Sequence, residues 1–341
     1  MIYANACKVM HNYGVFALFR KAVRNKAAIL MYHNLCELKD IDNKEMQVNV
    51  DAFYSQMTYI KREYEVISLS KLVEELAVEK KLKPNYVVVT FDDGYLNNYR
   101  YAWPICKELG IPFTVYVATD FVDKQQLLWP DRLRIGINES RTKLMKFELL
   151  GSAYELSIRT EKEKEAAYRV ISRILKKVDI DLLDDFVSKI DKILGVDTML
   201  ESRELHRSCT WDQLGEMIDS GIVEIGSHTV GHPILSHLSP ERIKFELENS
   251  KKQIERNIGT SCKHFAYPNG KQEDFNTSIT SKVKELGYDS AVTTLEGFCK
   301  PGNDLYILPR IGIYGQYSDA QFLASITGFH GYISRMFLRA T

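Results

Sequence analysis

VVVTFDDGY, residues 87–95, is a short apolar run that ends in two adjacent carboxylates and a glycine. Val87, Val88, Val89 and Phe91 are β-branched or aromatic, and a continuous run of this kind reads as a strand buried on both faces. Runs of the same character recur at 27–32 (AAILMY), 64–68 (YEVIS), 113–118 (FTVYVA), 222–227 (IVEIGS), 264–267 (HFAY), 290–294 (SAVTT) and 306–313 (YILPRIGI). Helical patterns over 51–61, 70–80, 99–109, 240–258 and 276–286 fall between them. Strand alternating with helix implies a parallel sheet. Seven or eight such units, with no Gly-rich phosphate turn after any strand, predict a distorted (β/α)7–8 barrel rather than an open doubly wound sheet.

The rhythm breaks once. Residues 121–204 are far more chain than the single helix a barrel needs between two strands. Within them, 160–177 followed by Val178 carries Ala167, Val170, Ile171, Ile174, Leu175 and Val178 at helical spacing, and 181–194 carries Leu182, Phe186, Ile190, Ile193 and Leu194. A helical insertion hung from the C-terminal end of a strand is expected over the barrel mouth, where it would shape a substrate cleft. The chain is thus divided into an N-terminal helical segment (1–26), a barrel (27–120 and 205–315), the insertion (121–204) and a C-terminal helical segment (316–341).

Charge and cysteine usage narrow the function. Forty-five basic residues balance forty-five acidic ones, so the field that a polyanion binder carries is missing and nucleic acid is not an expected partner. Six scattered cysteines without a CxxC pair fit free thiols in a reducing compartment. No apolar run spans a bilayer and no signal-peptide core is present, which points to the cytoplasm. Both ends are basic and aromatic: Val9, Met10, Tyr13, Phe16 and Phe19 lie among Lys8, Arg20, Lys21, Arg24 and Lys26, and Phe329, Tyr332 and Phe337 among Arg335 and Arg339. Such segments suit peripheral contact with a membrane as well as a pair of helices docked on the fold.

The chemistry gathers at the strand ends. Apolar residues up to Phe91 deliver Asp92 and Asp93 to the rim, and Gly94 lets the backbone turn so that both face the cleft. Two close carboxylates are costly to ionise together, so a bound cation or a shared proton is implied. IGSHTVGHP (225–233) ends another strand and places His228 and His232 four residues apart, the spacing of two imidazoles on one side of a helical turn. With one Asp they make a two-histidine, one-carboxylate set suited to zinc or another divalent metal such as cobalt, nickel or manganese. The same triad serves iron-dependent oxygenases, but those favour an antiparallel jelly roll, against the alternation seen here. Pro268, Asn269 and Gly270 form a turn whose N–H groups could meet an oxyanion. His33 closes the first strand, and Arg310, inside the last, needs an acidic partner if buried.

TFDDG (90–94), SHTVGH (227–232), AYPNG (266–270) and LPR (308–310), in that order, resemble the polysaccharide deacetylase superfamily, the NodB homology domain or carbohydrate esterase family 4. The resemblance covers about residues 27–120 and 205–315. It implies a NodB-type barrel and a metal-dependent N-deacetylase acting on an N-acetylated sugar or polysaccharide. It makes Asp92 the catalytic base, with Asp93, His228 and His232 holding the metal. Two family motifs are altered. Where Arg-x-Pro-Tyr is usual the sequence has Ala266, Tyr267, Pro268 and Asn269, leaving the Asn269 N–H for the oxyanion and Tyr267 and Pro268 beside the substrate. Where Leu-x-His is usual it has Leu308, Pro309 and Arg310. Relatives acting on poly-N-acetylglucosamine carry a histidine at an early Tyr-His strand end, which makes His33 the replacement acid, and Arg310 is expected to hold Asp92 in place of the missing arginine. The eroded motifs also allow a silent glycan-binding barrel, although a pure binder has no use for Asp92.

Overall fold

The computed structural model describes residues 2–40, 46–78, 81–178, 180–197 and 206–331. Among them, seven parallel strands close into a ring: β1 (Ala27–Tyr32), β2 (Tyr86–Phe91), β3 (Phe113–Val117), β4 (Val223–Ser227), β5 (His264–Ala266), β6 (Ser290–Glu296) and β7 (Leu308–Gly312). They follow chain order around the ring. β1 closes it, pairing along its whole length with β2, from Ala27↔Tyr86 to Tyr32↔Phe91, and on its other edge with β7 at Leu30↔Ile311. The expected strand at 64–68 contributes only Glu65–Val66, paired with the first two residues of β2 on the edge that β3 takes over further along. It is therefore an appendage to the ring.

Alternation along each strand divides the interior from the helix-covered outside. Ala28, Leu30, Tyr32, Val87, Val89, Phe91, Phe113, Val115 and Val117 pack outward under the helices, each buried to 1% exposure or little more. Burying such a side chain contributes about 1.5–3 kcal/mol. Ala27, Ile29, Val88, Tyr116, Ala266, Val292 and Leu308 fill the interior together with Leu69, Leu72, Val73 and Leu76 of the helix Leu69–Val78. That helix closes the N-terminal end of the barrel. Its first N–H groups, at Leu69 and Ser70, donate to the Glu224 carboxylate at the base of β4, and the Ser70 hydroxyl meets His264 Nε2 at 2.9 Å. A carboxylate is at home on these orphan N–H groups. Gly226 leaves room for Tyr116: a Cβ there would sit 2.5 Å from the Tyr116 ring and 2.9 Å from the His264 carbonyl.

The remaining helices lie outside or above. Helix Pro240–Ile258 starts on Ser239, whose hydroxyl accepts from the Arg242 N–H, and stops at Gly259 in the left-handed region. The insertion is not purely helical. Besides Trp129–Glu139, Glu161–Leu175 and Ile180–Leu194 it contains an antiparallel hairpin, Leu144–Leu149 with Ser152–Ser157, turning through Leu150 and Gly151 at φ 52° and 74°. The hairpin's residues alternate: Lys146, Glu148 and Glu155 face solvent, while Phe147, Tyr154 and Leu156 turn inward beside the buried pair Met145 and Leu149. Leu133, Ile137, Ala167, Ile171, Leu175, Val187 and Ile190 join those two in a separate apolar core.

The N-terminal helices Ile2–Asn12 and Val15–Val23 dock on the fold. Phe16 and Phe19 meet Phe329 at ring distances of 5.4 and 5.1 Å, and Arg20 pairs with Glu63 at 2.8 Å. Val9, Tyr13 and Leu18 face solvent. Tyr332, Arg335, Phe337 and Arg339 lie outside the described residues. The six cysteines are buried thiols, with no disulfide among the described residues.

Candidate active site

Asp92 follows β2 in register with Tyr86, Val88 and Thr90, so alternation turns it into the barrel. The same alternation would send Asp93 outward. It does not, because Asp93 and Gly94 both take left-handed backbone, at φ 72° and 84°, and the chain doubles back to put the second carboxylate beside the first. For a non-glycine residue this conformation costs about 1–3 kcal/mol, a strain found where surrounding structure fixes a functional group. Gly94 is obligatory in its own right, since a Cβ would come within 2.8 Å of Val117 Cγ1.

Arg310, fully buried, reaches across the interior from β7 and grips Asp92 with two nitrogens, NH1 to Oδ1 and NH2 to Oδ2, each at 2.6 Å. Its Nε donates to the Thr293 carbonyl at 2.8 Å, and NH1 also reaches Thr90 Oγ1 at 3.3 Å. Burial alone would raise the Asp92 carboxyl, but the guanidinium outweighs it and holds the group well below the usual carboxylate range. Asp92 is therefore an ionised, immobile acceptor.

Asp93 has the opposite environment. Burial, then the charges of Asp92 and Asp131, push its carboxyl well above the ordinary value. Its Oδ1 accepts no hydrogen bond among the described residues, although His228 Nε2 and His232 Nε2 stand 3.5 and 3.4 Å away. Ligands bound at about 2.0–2.2 Å around a tetrahedral ion lie roughly 3.3–3.6 Å apart, so these three atoms fit a divalent cation between them. His228 Nδ1 bonds the Ala266 carbonyl at 2.7 Å, which fixes the proton on that nitrogen and turns the Nε2 lone pair to the site. Burial lowers both histidines, leaving them as the neutral imidazoles that a metal requires.

The His pair is not on a helical turn. Residues 228–232 form a loop with Thr229 and His232 in left-handed conformation, at φ 70° and 58°. Glu246, a fully buried residue of helix Pro240–Ile258, holds that loop, its Oε2 accepting the N–H groups of Val230 and Gly231 at 2.9 Å each. Thr229 Oγ1 accepts the His232 N–H at 3.0 Å. Sequence reasoning missed Glu246. The available signal was a pair of polar residues four apart, Glu246 and Ser250, in line with Ile254 on the buried face of an otherwise charged helix.

His33 stands at the end of β1 with Nε2 3.9 Å from Asp92 Oδ2, and the Asn98 side chain clamps its carbonyl at 3.0 Å. Burial lowers its pKa to about 4 despite the opposing pull of Asp92. Asn269 lies in the turn just after β5, in left-handed backbone at φ 60°. Tyr267 does not. Its ring is buried against Phe275 and Phe265 and its hydroxyl donates to the Tyr306 carbonyl at 3.0 Å, so it supports the turn from the core instead of touching substrate. Pro268 acts through its carbonyl, which accepts the Gly270 N–H at 2.7 Å.

The expected consequence of this donor set is one tightly held divalent ion per chain. Elemental analysis of dialysed protein should show most of it lost in His228→Ala and in His232→Ala. Wild-type metal content in either variant would remove that histidine from the set.

A sequence profile of the polysaccharide deacetylases matches residues 79–291, a span that includes Asp92, Asp93, His228 and His232 but neither His33 nor Arg310. Bacillus subtilis YxkH, whose deacetylase name is itself provisional, is 22% identical over 302 residues, covering 88% of this chain and 76% of its own. The solved Streptococcus pyogenes deacetylase PplD, in complex with acetate, superposes with a TM-score of 0.59 at 22% identity over 89% of this chain and 99% of that one. IcaB from Ammonifex degensii gives 0.56 at 18% identity, over 89% and 97%. At these identities the two structures speak for the fold.

Proposed function

Since the chain belongs to the polysaccharide deacetylase family, we propose that it hydrolyses the N-acetyl group of an amino sugar, in a surface polysaccharide or in its lipid- or nucleotide-linked precursor. The observation that carries this is the Asp92–Arg310 pair set against the Asp93, His228 and His232 cluster. A divalent ion held by that cluster, zinc by the donor types, would polarise the acetyl carbonyl and lower the pKa of a water. Asp92, kept ionised by Arg310, takes the proton of the attacking water. The Asn269 N–H, which has no partner among the described residues, donates to the acetyl oxygen as it gains charge. The C–N bond then breaks, giving acetate and an amine that must be protonated as it leaves.

His33 is placed to supply that proton. With a pKa of about 4 it is neutral near pH 7, so it has to receive the proton during the reaction, and Asp92 Oδ2 at 3.9 Å is the group that can pass it on.

None of the described helices is long and apolar enough to cross a membrane. The exposed Val9, Tyr13 and Leu18 on basic N-terminal helices support peripheral contact with anionic lipid on the cytoplasmic side, where a carrier-linked precursor would be met.

An acetate-release screen tests the activity: purified protein loaded with zinc, cobalt or nickel, against N-acetylglucosamine oligomers, lipid-linked amino sugars and peptidoglycan. Release from one class, lost with a chelator and restored by metal, is the expected outcome. No release with any metal would reject the deacetylase reading, and equal release from all three classes would reject a dedicated precursor.

A further inference from the structure

The insertion reaches two of the strand-end turns that carry the site. The Tyr95 hydroxyl, at the end of the DDGY turn, donates to Asp131 Oδ2 of helix Trp129–Glu139 at 2.8 Å. At the second, Lys176, at the C-terminal end of helix Glu161–Leu175, donates from Nζ to Asn269 Oδ1 at 2.6 Å. The Lys176 carbonyl is itself engaged by His237 Nδ1 of the barrel at 2.9 Å.

Asn269 is held on three of its four polar groups. Its side-chain carbonyl takes Lys176, its amide nitrogen donates to Asp274, and its backbone carbonyl accepts the Thr294 hydroxyl at 2.7 Å. Asp274 is buried and also takes the Lys271 N–H at 2.8 Å, so it is a fixed anchor. The fourth group, the Asn269 backbone N–H, is the one without a partner among the described residues. A left-handed residue clamped in this way cannot easily rotate its peptide, which is what a preorganised donor requires. Two of the clamps belong to the barrel. The third, and the only one carrying charge on the donor, is lent by the insertion.

We infer that Lys176 is a positioning residue for the oxyanion donor, and that the insertion completes the catalytic site rather than merely covering it. The inference rests on the reading of Asn269 given above. When the acetyl oxygen gains charge, the Asn269 N–H must meet it without reorganising, and Lys176 secures that by fixing the side chain that shares its backbone. Lys176 is half-buried, and burial followed by the nearby Lys271 lowers its pKa, so its ammonium is held there against a cost.

Two readouts on Lys176→Met and Lys176→Arg test this in the zinc-loaded protein. The first is steady-state acetate release from an N-acetylglucosamine oligomer. Lys176→Met should lower kcat about tenfold, a fraction of the 10²–10³ lost when an oxyanion donor is removed outright, with KM and metal content near wild type. Lys176→Arg, which keeps the charged donor, should recover part of the loss. The second is the Asn269 amide resonance during an acetate titration, expected to shift in the native protein and to respond weakly in Lys176→Met. An unchanged kcat in Lys176→Met, or an Asn269 amide that answers acetate equally in both proteins, overturns the inference. Should the native protein release no acetate at all, the deacetylase reading falls and the acetate titration alone decides whether Lys176 positions Asn269.

Discussion

Asp92→Asn should reduce acetate release about a thousandfold while the bound metal stays in place. The substitution is isosteric, so the side-chain carbonyl can still accept from Arg310, and it leaves Asp93, His228 and His232 untouched. What is lost is the capacity to take a proton. Measuring kcat and metal content on the same preparation separates the two roles of the adjacent carboxylates. Full acetate release with metal bound would show that Asp92 is not the base, and loss of metal in parallel with activity would show that it is a ligand.

Arg310→Met should cost about 3–5 kcal/mol of stability, because it leaves a carboxylate buried at 2% exposure with its main counter-charge gone. The pH dependence gives the sharper test. In the native chain the Asp92 carboxyl lies below its unfolded value of about 3.9, so the pair stabilises fully above that value and its contribution is lost as pH falls through the folded one, below about pH 4. Without Arg310, burial acts nearly unopposed and raises the group. The sign then reverses: the variant is least impaired at low pH and loses stability as pH rises past the unfolded value. Urea unfolding of both proteins at pH 5 and pH 8, with chelator in each, should show the larger gap at pH 8. Adding Asp92→Asn to Arg310→Met should restore part of the loss by removing the stranded charge. A gap below about 1 kcal/mol, or one that ignores pH, would mean that the pair does not carry the electrostatic load.

Much of this was legible from strand ends. The apolar run before Asp92 fixes both its burial and its inward direction, and the order of the four motifs selects the barrel. What alternation could not give is Asp93, since period two points it the wrong way and only the left-handed turn corrects it. The four-residue spacing of His228 and His232 marked two residues that the structure does bring together, but on another scaffold: a loop strapped by Glu246 meets the same spacing requirement as a helical turn. Arg310 needed a carboxylate, as a buried cation must, but its partner lies 218 residues away in the chain. Asp131 and Lys176 carried no readable signal, because in a solvated helical insertion an acid and a base look like ordinary surface charge until the fold brings them to the barrel.

The closure of the ring has a consequence for how the protein is made. β7 is the last of the described strands to leave a ribosome, and it slots between β6 and β1, both synthesised before it. Until it does, a nascent chain already carries Asp92, Asp93, His228 and His232, yet Asp92 has no guanidinium and the ring has a gap beside β1. Completion of the wall and the pairing of Asp92 with its counter-charge are one event. A chain cut before residue 308 should therefore lose the closed ring and the counter-charge of Asp92 together.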